Sequence, residues 1–161
     1  ARLRTGTGSE TGSGVLTSVL DQPQGEIADA YRSIRTALQL SSPGAPPKVI
    51  LVTSALPREG KTTTSVNLAA VYSQNNNRVL LVDGDLRRAD LCKYFKLERN
   101  KGLSSALAGE EPELFYATHP KLPNLTILPA GPRPPQPPDM LDSDRMREFV
   151  KRWRAARHWI E

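Results

Sequence analysis

The chain has 161 residues, of which 38% are hydrophobic, and it carries a formal net charge of +5 at neutral pH. These values suit a single globular domain with a buried core. The one cysteine, Cys92, excludes an internal disulfide framework, and no apolar run approaches the roughly 18 residues of a membrane-spanning helix. We expect Cys92 to be a small buried side chain.

Residues 1–25 are predicted to form a flexible lead, because residues 5–14 contain only glycine, serine, threonine and one glutamate and cannot build a core. From residue 26 to residue 40 the apolar side chains recur at spacings of three and four, which predicts an amphipathic helix. The expected buried stripe of this helix comprises Ile27, Tyr31, Ile34 and Leu38.

Short apolar runs alternate with helical patterns in the middle of the chain. The predicted buried strands are residues 49–52, 79–82 and 125–128. A helix is predicted over residues 62–74, with shorter ones over 91–97, 103–108 and 113–117. This alternation predicts an α/β domain with a parallel sheet flanked by helices. In such a sheet the carboxyl ends of the strands meet at one edge, where ligands bind.

The chain closes with a predicted helix over residues 142–159. Ser143 is its expected N-terminal cap, and its expected apolar stripe comprises Met146, Phe149, Val150 and Trp153. The proline-rich stretch that precedes this helix is predicted to be a stiff connector. His119 and His158 have no cysteine or histidine nearby at metal-ligand spacing, so we predict no zinc site.

A phosphate-binding loop is predicted between the first strand and the helix that follows it. The general pattern is Gly, four residues, then Gly-Lys-Ser/Thr, and residues 55–62 follow it with Ala55 in the first position. Gly60 lets the backbone turn its N–H groups toward phosphate oxygens, and the helix N-terminus adds a partial positive charge. Lys61 is expected to reach the β- and γ-phosphates, and the Thr62 hydroxyl to hold Mg²⁺. The loop therefore predicts binding of ATP or GTP.

Two carboxylates follow the second predicted strand. Asp83 and Asp85 are expected at the same sheet edge as the phosphate loop, where one can orient metal-bound water and the other can accept a proton. Arg87 and Arg88 are expected to balance these carboxylates or to meet phosphate. The plainer interpretation is a solvated turn that an aspartate caps.

With these motifs the chain resembles the bacterial tyrosine kinases of capsule and exopolysaccharide export systems, which are P-loop NTPases. The resemblance rests first on the loop from Ala55 to Thr62 and on the strand that ends in Asp83, Asp85 and Arg87. The helix upstream carries Asp29, Arg32 and Arg35, which approach the family's Glu-x-x-Arg-x-x-Arg motif. The resemblance covers roughly residues 26–160.

The resemblance implies ATP-dependent phosphorylation of protein tyrosines, including those of the kinase's own tail. It implies that Lys61, Asp83 and Asp85 are catalytic and that Thr62, Asp83 and Asp85 hold Mg²⁺. The implied contacts to ATP phosphates are Ala55, Pro57, Arg58, Glu59, Gly60, Lys61, Thr62 and Thr63. Asp29, Arg32 and Arg35 would lie at the subunit interface of a ring-like homo-oligomer. The implied setting is the cytoplasmic face of the bacterial plasma membrane, beside a fused or separate membrane activator domain.

The chain departs from the family pattern at several places. Arg58 stands where the family usually has glycine, so a positive φ at this position would strain the arginine. Asp29 replaces a glutamate. The family's third nucleotide motif, a strand ending in aspartate, should begin just after residue 161 and is absent here, as are the family's later strands and its tyrosine-rich tail. We therefore interpret residues 26–161 as the N-terminal part of the kinase domain. An incomplete sheet with an exposed apolar edge predicts poor solubility.

Three other interpretations remain open. A partition- or septum-site-type switch ATPase would carry a signature lysine five positions before Lys61, where this chain has Leu56. A non-catalytic regulator of export would bind nucleotide and assemble without phosphorylating tyrosine. Nucleic-acid binding through Lys93, Lys96, Arg99, Lys101 or the arginine-rich last helix is disfavoured, because aromatic residues for base stacking are sparse.

Overall fold

The computed structural model describes residues 18–98 and 100–156. Three parts of the chain lie outside this range. They are the first seventeen residues of the predicted lead, Arg99, which was named above as a candidate for nucleic-acid binding, and the last residues of the predicted final helix. The helices are α1 (Ser18–Asp21), α2 (Glu26–Leu40), α3 (Lys61–Gln74), α4 (Asp90–Phe95), α5 (Leu103–Leu107), α6 (Pro137–Leu141) and α7 (Asp144–Ala155). The strands are β1 (Val79–Val82), β2 (Ala117–His119) and β3 (Leu122–Leu128), and a 3₁₀ helix spans Pro112–Phe115. None of the helices in the described range is long and apolar enough to cross a membrane.

The three strands form one mixed sheet in the order β1-β3-β2. β1 and β3 are parallel, with Val79 opposite Leu125 and Val82 opposite Leu128. β2 is antiparallel to β3 and was not predicted, because residues 113–117 were expected to be helical. That segment forms only a short 3₁₀ helix with proline in its first turn, and the backbone then pairs with β3. The α/β class and the parallel pair are confirmed.

The predicted strand over residues 49–52 is not formed. Val49 is 50% exposed and Leu51 is 85% exposed, whereas Ile50 packs against the core. A strand requires backbone pairing, and nothing in the described parts of the chain pairs with this segment. Its apolar, branched sequence favours an extended conformation, but sequence alone does not supply the neighbouring strand.

The sheet separates two apolar clusters, because successive side chains of a strand point to opposite faces. Val79 and Leu81 of β1 belong to the cluster under α2 and α3, and this cluster also contains Leu125 and Ile127 of β3. Leu80 and Val82 pack against the second cluster, which α5 and α7 cover. Cys92 is 2% exposed, as predicted.

α2 has the predicted bounds, but its buried face is displaced from the predicted stripe. Ala28 is fully buried and Tyr31 and Leu38 pack against the core, whereas Ile27 and Ile34 are 44% and 43% exposed. An apolar stripe fixes only the approximate side of a helix that is buried, and the contact with α3 decides which edge of the stripe faces inward. Half of the predicted stripe is therefore wrong.

The end of the predicted lead is ordered against α3. Val19 of α1 is fully buried, and its backbone N–H donates to the Asn67 side-chain oxygen at 3.1 Å. α1 was not predicted, because four residues are too few to show helical periodicity.

The proline-rich stretch is fixed to the start of α5 by a close backbone approach. The N–H groups of Leu103 and Ser104 donate to the carbonyls of Pro129 and Ala130 at 2.7 and 2.9 Å. A Cβ on Gly102 would lie 2.2 Å from the Pro129 carbonyl oxygen, so only glycine fits there. The stretch then continues into α6, a short helix at a place where the sequence predicts a stiff connector.

α7 begins where its cap was predicted. The Ser143 hydroxyl accepts the Met146 backbone N–H at 3.2 Å. Phe149 is 2% exposed, and Met146 and Trp153 pack beside it in the second cluster. The predicted cap is confirmed, and so are three of the four predicted stripe residues, whereas Val150 is only half-buried and lies outside the cluster.

Candidate functional site

The phosphate loop and the Asp83 region lie at the same edge of the sheet. The loop leads into the N-terminus of α3, and α3 packs along β1 and β3. α3 ends at Gln74 and β1 starts at Val79 after a short reversal, so the start of α3 and the end of β1 point to one side. Asp83 follows β1 directly, which brings the two predicted motifs to one edge.

Two loop residues adopt left-handed backbone conformations. Gly60, immediately before α3, has φ 90°, and no atom lies within 4 Å of where its Cβ would be. Arg58 has φ 67°, so the loop does require a positive φ at the position where the family usually has glycine. An L-residue with a side chain pays about 1 kcal/mol in this region. The predicted strain at Arg58 is therefore confirmed.

Among the described residues, the Lys61 ammonium group contacts neutral oxygen atoms only. It donates to Ser54 Oγ at 2.8 Å and to the Leu56 carbonyl at 3.4 Å. No carboxylate of the described residues forms an ion pair with it. No sequence pattern predicts the contact of Ser54 with Lys61, because a single serine before the loop belongs to no motif. A cation with neutral partners, at a helix N-terminus whose first N–H groups lack intrahelical acceptors, suits a phosphate group.

Other polar groups in and around the loop form three further hydrogen bonds. The Leu56 N–H donates to Glu59 Oε2 at 3.0 Å, and the Ser54 hydroxyl donates to the Leu56 carbonyl at 2.8 Å. The Thr64 N–H donates to the Gly60 carbonyl at 2.8 Å and closes the first turn of α3. These hydrogen bonds within the loop hold its shape, and the loop is exposed at the surface.

Asp83 is a buried carboxyl group with oriented donors. It is 7% exposed; its Oδ1 accepts the Asp85 N–H at 3.1 Å and its Oδ2 accepts the Leu91 N–H at 3.3 Å. Burial raises the pKa of Asp83 to about 6, although the two N–H groups act in the opposite direction. A carboxyl group with this pKa can exchange a proton near neutral pH.

Asp85 is exposed and caps the turn after β1. Its Oδ1 accepts the N–H groups of Arg87 and Arg88, both at 3.1 Å, and its carbonyl accepts the Ala89 N–H at 2.9 Å. The plainer interpretation of a capped turn therefore holds for Asp85. The same turn directs the chain so that Leu91 can donate to Asp83.

The residues at this edge fit a nucleotide phosphate chain and an oxygen-preferring cation. Gly60 leaves open space, Lys61 supplies the charge, and the Thr62 hydroxyl with Asp83 and Asp85 supplies oxygen donors, which Mg²⁺ prefers. No group of three acidic, histidine or cysteine side chains that could cage a metal by themselves occurs in the described range. Mg²⁺ commonly binds through one or two carboxylates plus substrate phosphates, so it does not require a cage built of protein side chains alone.

The predicted interface residues lie away from this edge. The side chains of Asp29 and Arg32 form an ion pair at 2.6 Å on the surface of α2. Arg35 donates to the Val71 carbonyl at 3.3 Å, in a notch that also includes Gln74 at the end of α3. α3 has 14 residues, so this notch is about 20 Å from Lys61 along the helix.

Residues 50–156 match the family described as the CobQ/CobB/MinD/ParA nucleotide binding domain. The chain belongs to this family. The predicted phosphate loop over residues 55–62 lies within the matched range.

The curated relatives are bacterial tyrosine kinases. The chain is 36% identical over 150 residues to tyrosine-protein kinase YwqD of Bacillus subtilis, covering 92% of this chain and 62% of the relative. It is 33% identical over 132 residues to tyrosine-protein kinase etk of Escherichia coli K12, covering 82% of this chain and 18% of the relative. The predicted resemblance to this group is confirmed, and the chain spans less than two thirds of the length of these relatives.

Solved kinase domains share the fold. The kinase domain of the Escherichia coli tyrosine kinase ETK matches with a TM-score of 0.80 and 31% identity, covering 86% of this chain and 54% of that domain. The chimerical protein CapA2B2 matches with a TM-score of 0.79 and 31% identity, covering 86% and 61%. The P-loop NTPase-type fold class is therefore confirmed.

Proposed function

We propose that this chain forms part of an ATP-dependent protein-tyrosine kinase, which phosphorylates itself and other proteins and regulates polysaccharide polymerisation or export. The observation that carries the proposal is the placement of Lys61, which has neutral partners only, at the same sheet edge as the buried carboxyl group of Asp83. The names of the relatives support tyrosine as the acceptor.

In this proposal the loop residues from Ala55 to Thr63 surround the phosphates with backbone N–H groups, and Lys61 binds the terminal phosphates. Thr62, Asp83 and Asp85 hold Mg²⁺, which when bound neutralises the charge that develops on the transferred phosphoryl group. Asp83 accepts the proton of the tyrosine hydroxyl, because the N–H groups of Asp85 and Leu91 hold its carboxyl group in one orientation at this sheet edge. Asp85 is more exposed than Asp83, which suits a carboxylate that contacts the metal ion through a metal-bound water molecule.

The assembly and cellular setting are part of the same proposal. Asp29, Arg32 and Arg35 form a subunit interface of a ring-like homo-oligomer. The exposed apolar side chains of Ile27 and Ile34 on the same helix support a protein partner there. The kinase works at the cytoplasmic face of the plasma membrane with a membrane activator domain, fused or separate.

The deciding experiment incubates the intact protein with γ-labelled ATP and Mg²⁺ and probes for phosphotyrosine. The Asp83→Ala, Asp85→Ala double variant should lose the tyrosine label by at least a hundredfold, whereas the matched Asp139→Ala, Asp144→Ala variant should keep it. Lys61→Met should abolish nucleotide binding, because the phosphate charge loses its partner.

Each alternative outcome has a definite meaning. ATP hydrolysis without phosphotyrosine would favour a switch ATPase of the kind whose signature lysine is replaced here by Leu56. Nucleotide binding without either activity would leave a non-catalytic assembly module. Unchanged nucleotide affinity in Lys61→Met would defeat the assignment of the phosphate loop itself.

A further inference from the structure

The phosphate loop contains a second cation, Arg58, in a conformation that few residues with a side chain adopt. Its φ of 67° lies in the left-handed region that favours glycine, and its side chain is exposed. Residues held in such regions cluster at functional sites, which makes Arg58 a candidate for a functional role.

The charged neighbours of Arg58 are engaged, whereas Arg58 is not. The Glu59 carboxylate accepts the Leu56 N–H, and the Lys61 ammonium donates to two neutral oxygens. In the part of the chain that the structure describes, the Arg58 guanidinium makes no hydrogen bond or ion pair. An exposed guanidinium three residues before Lys61, in a loop shaped to receive phosphate, is available to an incoming anion.

We propose that the Arg58 guanidinium is a second phosphate-binding cation of this loop, beside Lys61, and that it strengthens the binding of nucleoside di- and triphosphates. The inference rests on the proposed function, because it takes the nucleotide to bind at this loop. A guanidinium presents a planar fork of N–H donors that matches two phosphate oxygens, whereas a lysine ammonium acts as a point charge. This contact gives Arg58 a role at a position where glycine would fit without strain.

The proposal predicts opposite effects of one substitution on stability and on binding. Arg58→Gly should raise the unfolding temperature of the nucleotide-free protein, because glycine adopts φ 67° without strain. The same variant should bind a fluorescent ATP analogue, and ADP, about tenfold more weakly. Arg58→Lys should stay within about threefold of the parent affinity, because it keeps the charge. Affinity for AMP, which lacks the β- and γ-phosphates, should not change in either variant.

Lys96 offers a matched control for this experiment. It is also an exposed cation at positive φ, 53°, but it ends α4 and has no place in the loop. Lys96→Gly should be stabilising to a similar extent and should leave the affinity for ATP unchanged. All variants are measured in the intact protein, by thermal unfolding and by titration with the three nucleotides.

Specific results would overturn the inference. Unchanged ATP affinity in Arg58→Gly would do so, as would an equal weakening of AMP binding. A loss of affinity seen only at protein concentrations where the chain self-associates would assign Arg58 to a neighbouring copy instead. Failure of the parent protein to bind ATP would defeat the proposed function. If the parent binds ATP and Lys61→Met does not, while Arg58→Gly binds normally, only the role of Arg58 falls.

Discussion

Asp83 is removed from water and lies near the carboxylates of Asp85 and Asp90, and at the same time it accepts two N–H groups that favour its charge. Burial raises its pKa to about 6, while the N–H groups of Asp85 and Leu91 lower it. The two donors hold the carboxyl plane in one orientation. Since both oxygens are engaged, the group cannot rotate freely, and a substrate or a metal ion would meet it in a fixed geometry.

The raised pKa of Asp83 predicts a pH-dependent stability in the absence of nucleotide and metal. Its pKa rises from an ordinary 3.8 to about 6 on folding, so the native state binds the proton more tightly than the unfolded chain does. The stabilising contribution is therefore complete below about pH 4 and is lost as the pH rises through about 6. The loss should amount to about 3 kcal/mol. Denaturant unfolding at a series of pH values measures it.

Asp83→Asn should lack this component of the pH dependence, because the amide does not titrate. Asp144→Asn is the control, since the Asp144 side chain is fully exposed and its replacement should leave the curve unchanged in shape. If Asp83→Asn and the parent protein lost stability in parallel between about pH 4 and 6, another group would be responsible.

At the scale of single residues, the sequence was sufficient for the positions of Gly60, Lys61 and Asp83, because motif spacing after a strand determines where they lie. It did not reveal that Asp85 caps its own turn, since an aspartate at a strand end serves equally as a cap or a ligand. The contact between Lys61 and Ser54 was also beyond prediction, because it depends on the path of the loop.

Among the elements, α7 shows how much of a helix start depends on one hydroxyl group. The Ser143 hydroxyl accepts the Met146 N–H and donates to the Met140 carbonyl, so it joins α7 to α6. Ser143→Ala should lower the free energy of unfolding by about 1 kcal/mol, because both partners lose their bond. Chemical denaturation measures the change.

Ser143→Thr is the matched control for this prediction, because threonine keeps a hydroxyl that can both donate and accept. It should remain within about half a kcal/mol of the parent protein. Equal destabilisation by alanine and threonine would show that crowding around the side chain, and not the lost cap, determines stability at this position.

Elements that are marked by a local sequence pattern could be predicted, whereas elements that depend on pairing or packing with a distant segment could not. α2 and the start of α7 follow from periodicity and capping, which involve residues close in sequence. β2 and the unpaired segment over residues 49–52 depend on whether another strand lies alongside, which no local pattern reports. The same reason explains the error in the buried face of α2. The sequence shows its apolar stripe, but the contact with α3 determines which edge of that stripe is buried.

At the scale of the whole molecule, α3 connects the two regions to which we assign function. The phosphate loop leads into its first turn, and its last turns line the notch that contains Arg35. Its middle is buried between α2 and the sheet, with Val66, Ala70 and Val71 almost inaccessible. A rigid, buried helix of this kind keeps the nucleotide edge and the α2 surface in a fixed relation.

The proposed ring predicts a change of molecular mass when the charge on α2 is reversed. Asp29→Lys should reduce the assembled species of the intact protein to monomers or small oligomers in light-scattering measurements, because a like charge would face the arginines of the next copy. Asp144→Lys is the matched control for Asp29→Lys, because Asp144 also lies in the first turn of a helix and forms an ion pair with the arginine three residues later. Identical masses for both variants and the parent would remove α2 from the interface.

The docking of Val19 also has a mechanical consequence. Any tether that precedes Ser18 is anchored on α3 through Val19 and Asn67, ahead of α2. The eight residues from 18 to 25 would add about 28 Å of reach if they hung free, and docking removes that length. A force applied along the tether would therefore act first on the middle of α3, and this one rigid helix would carry the tension to the phosphate loop at its N-terminus.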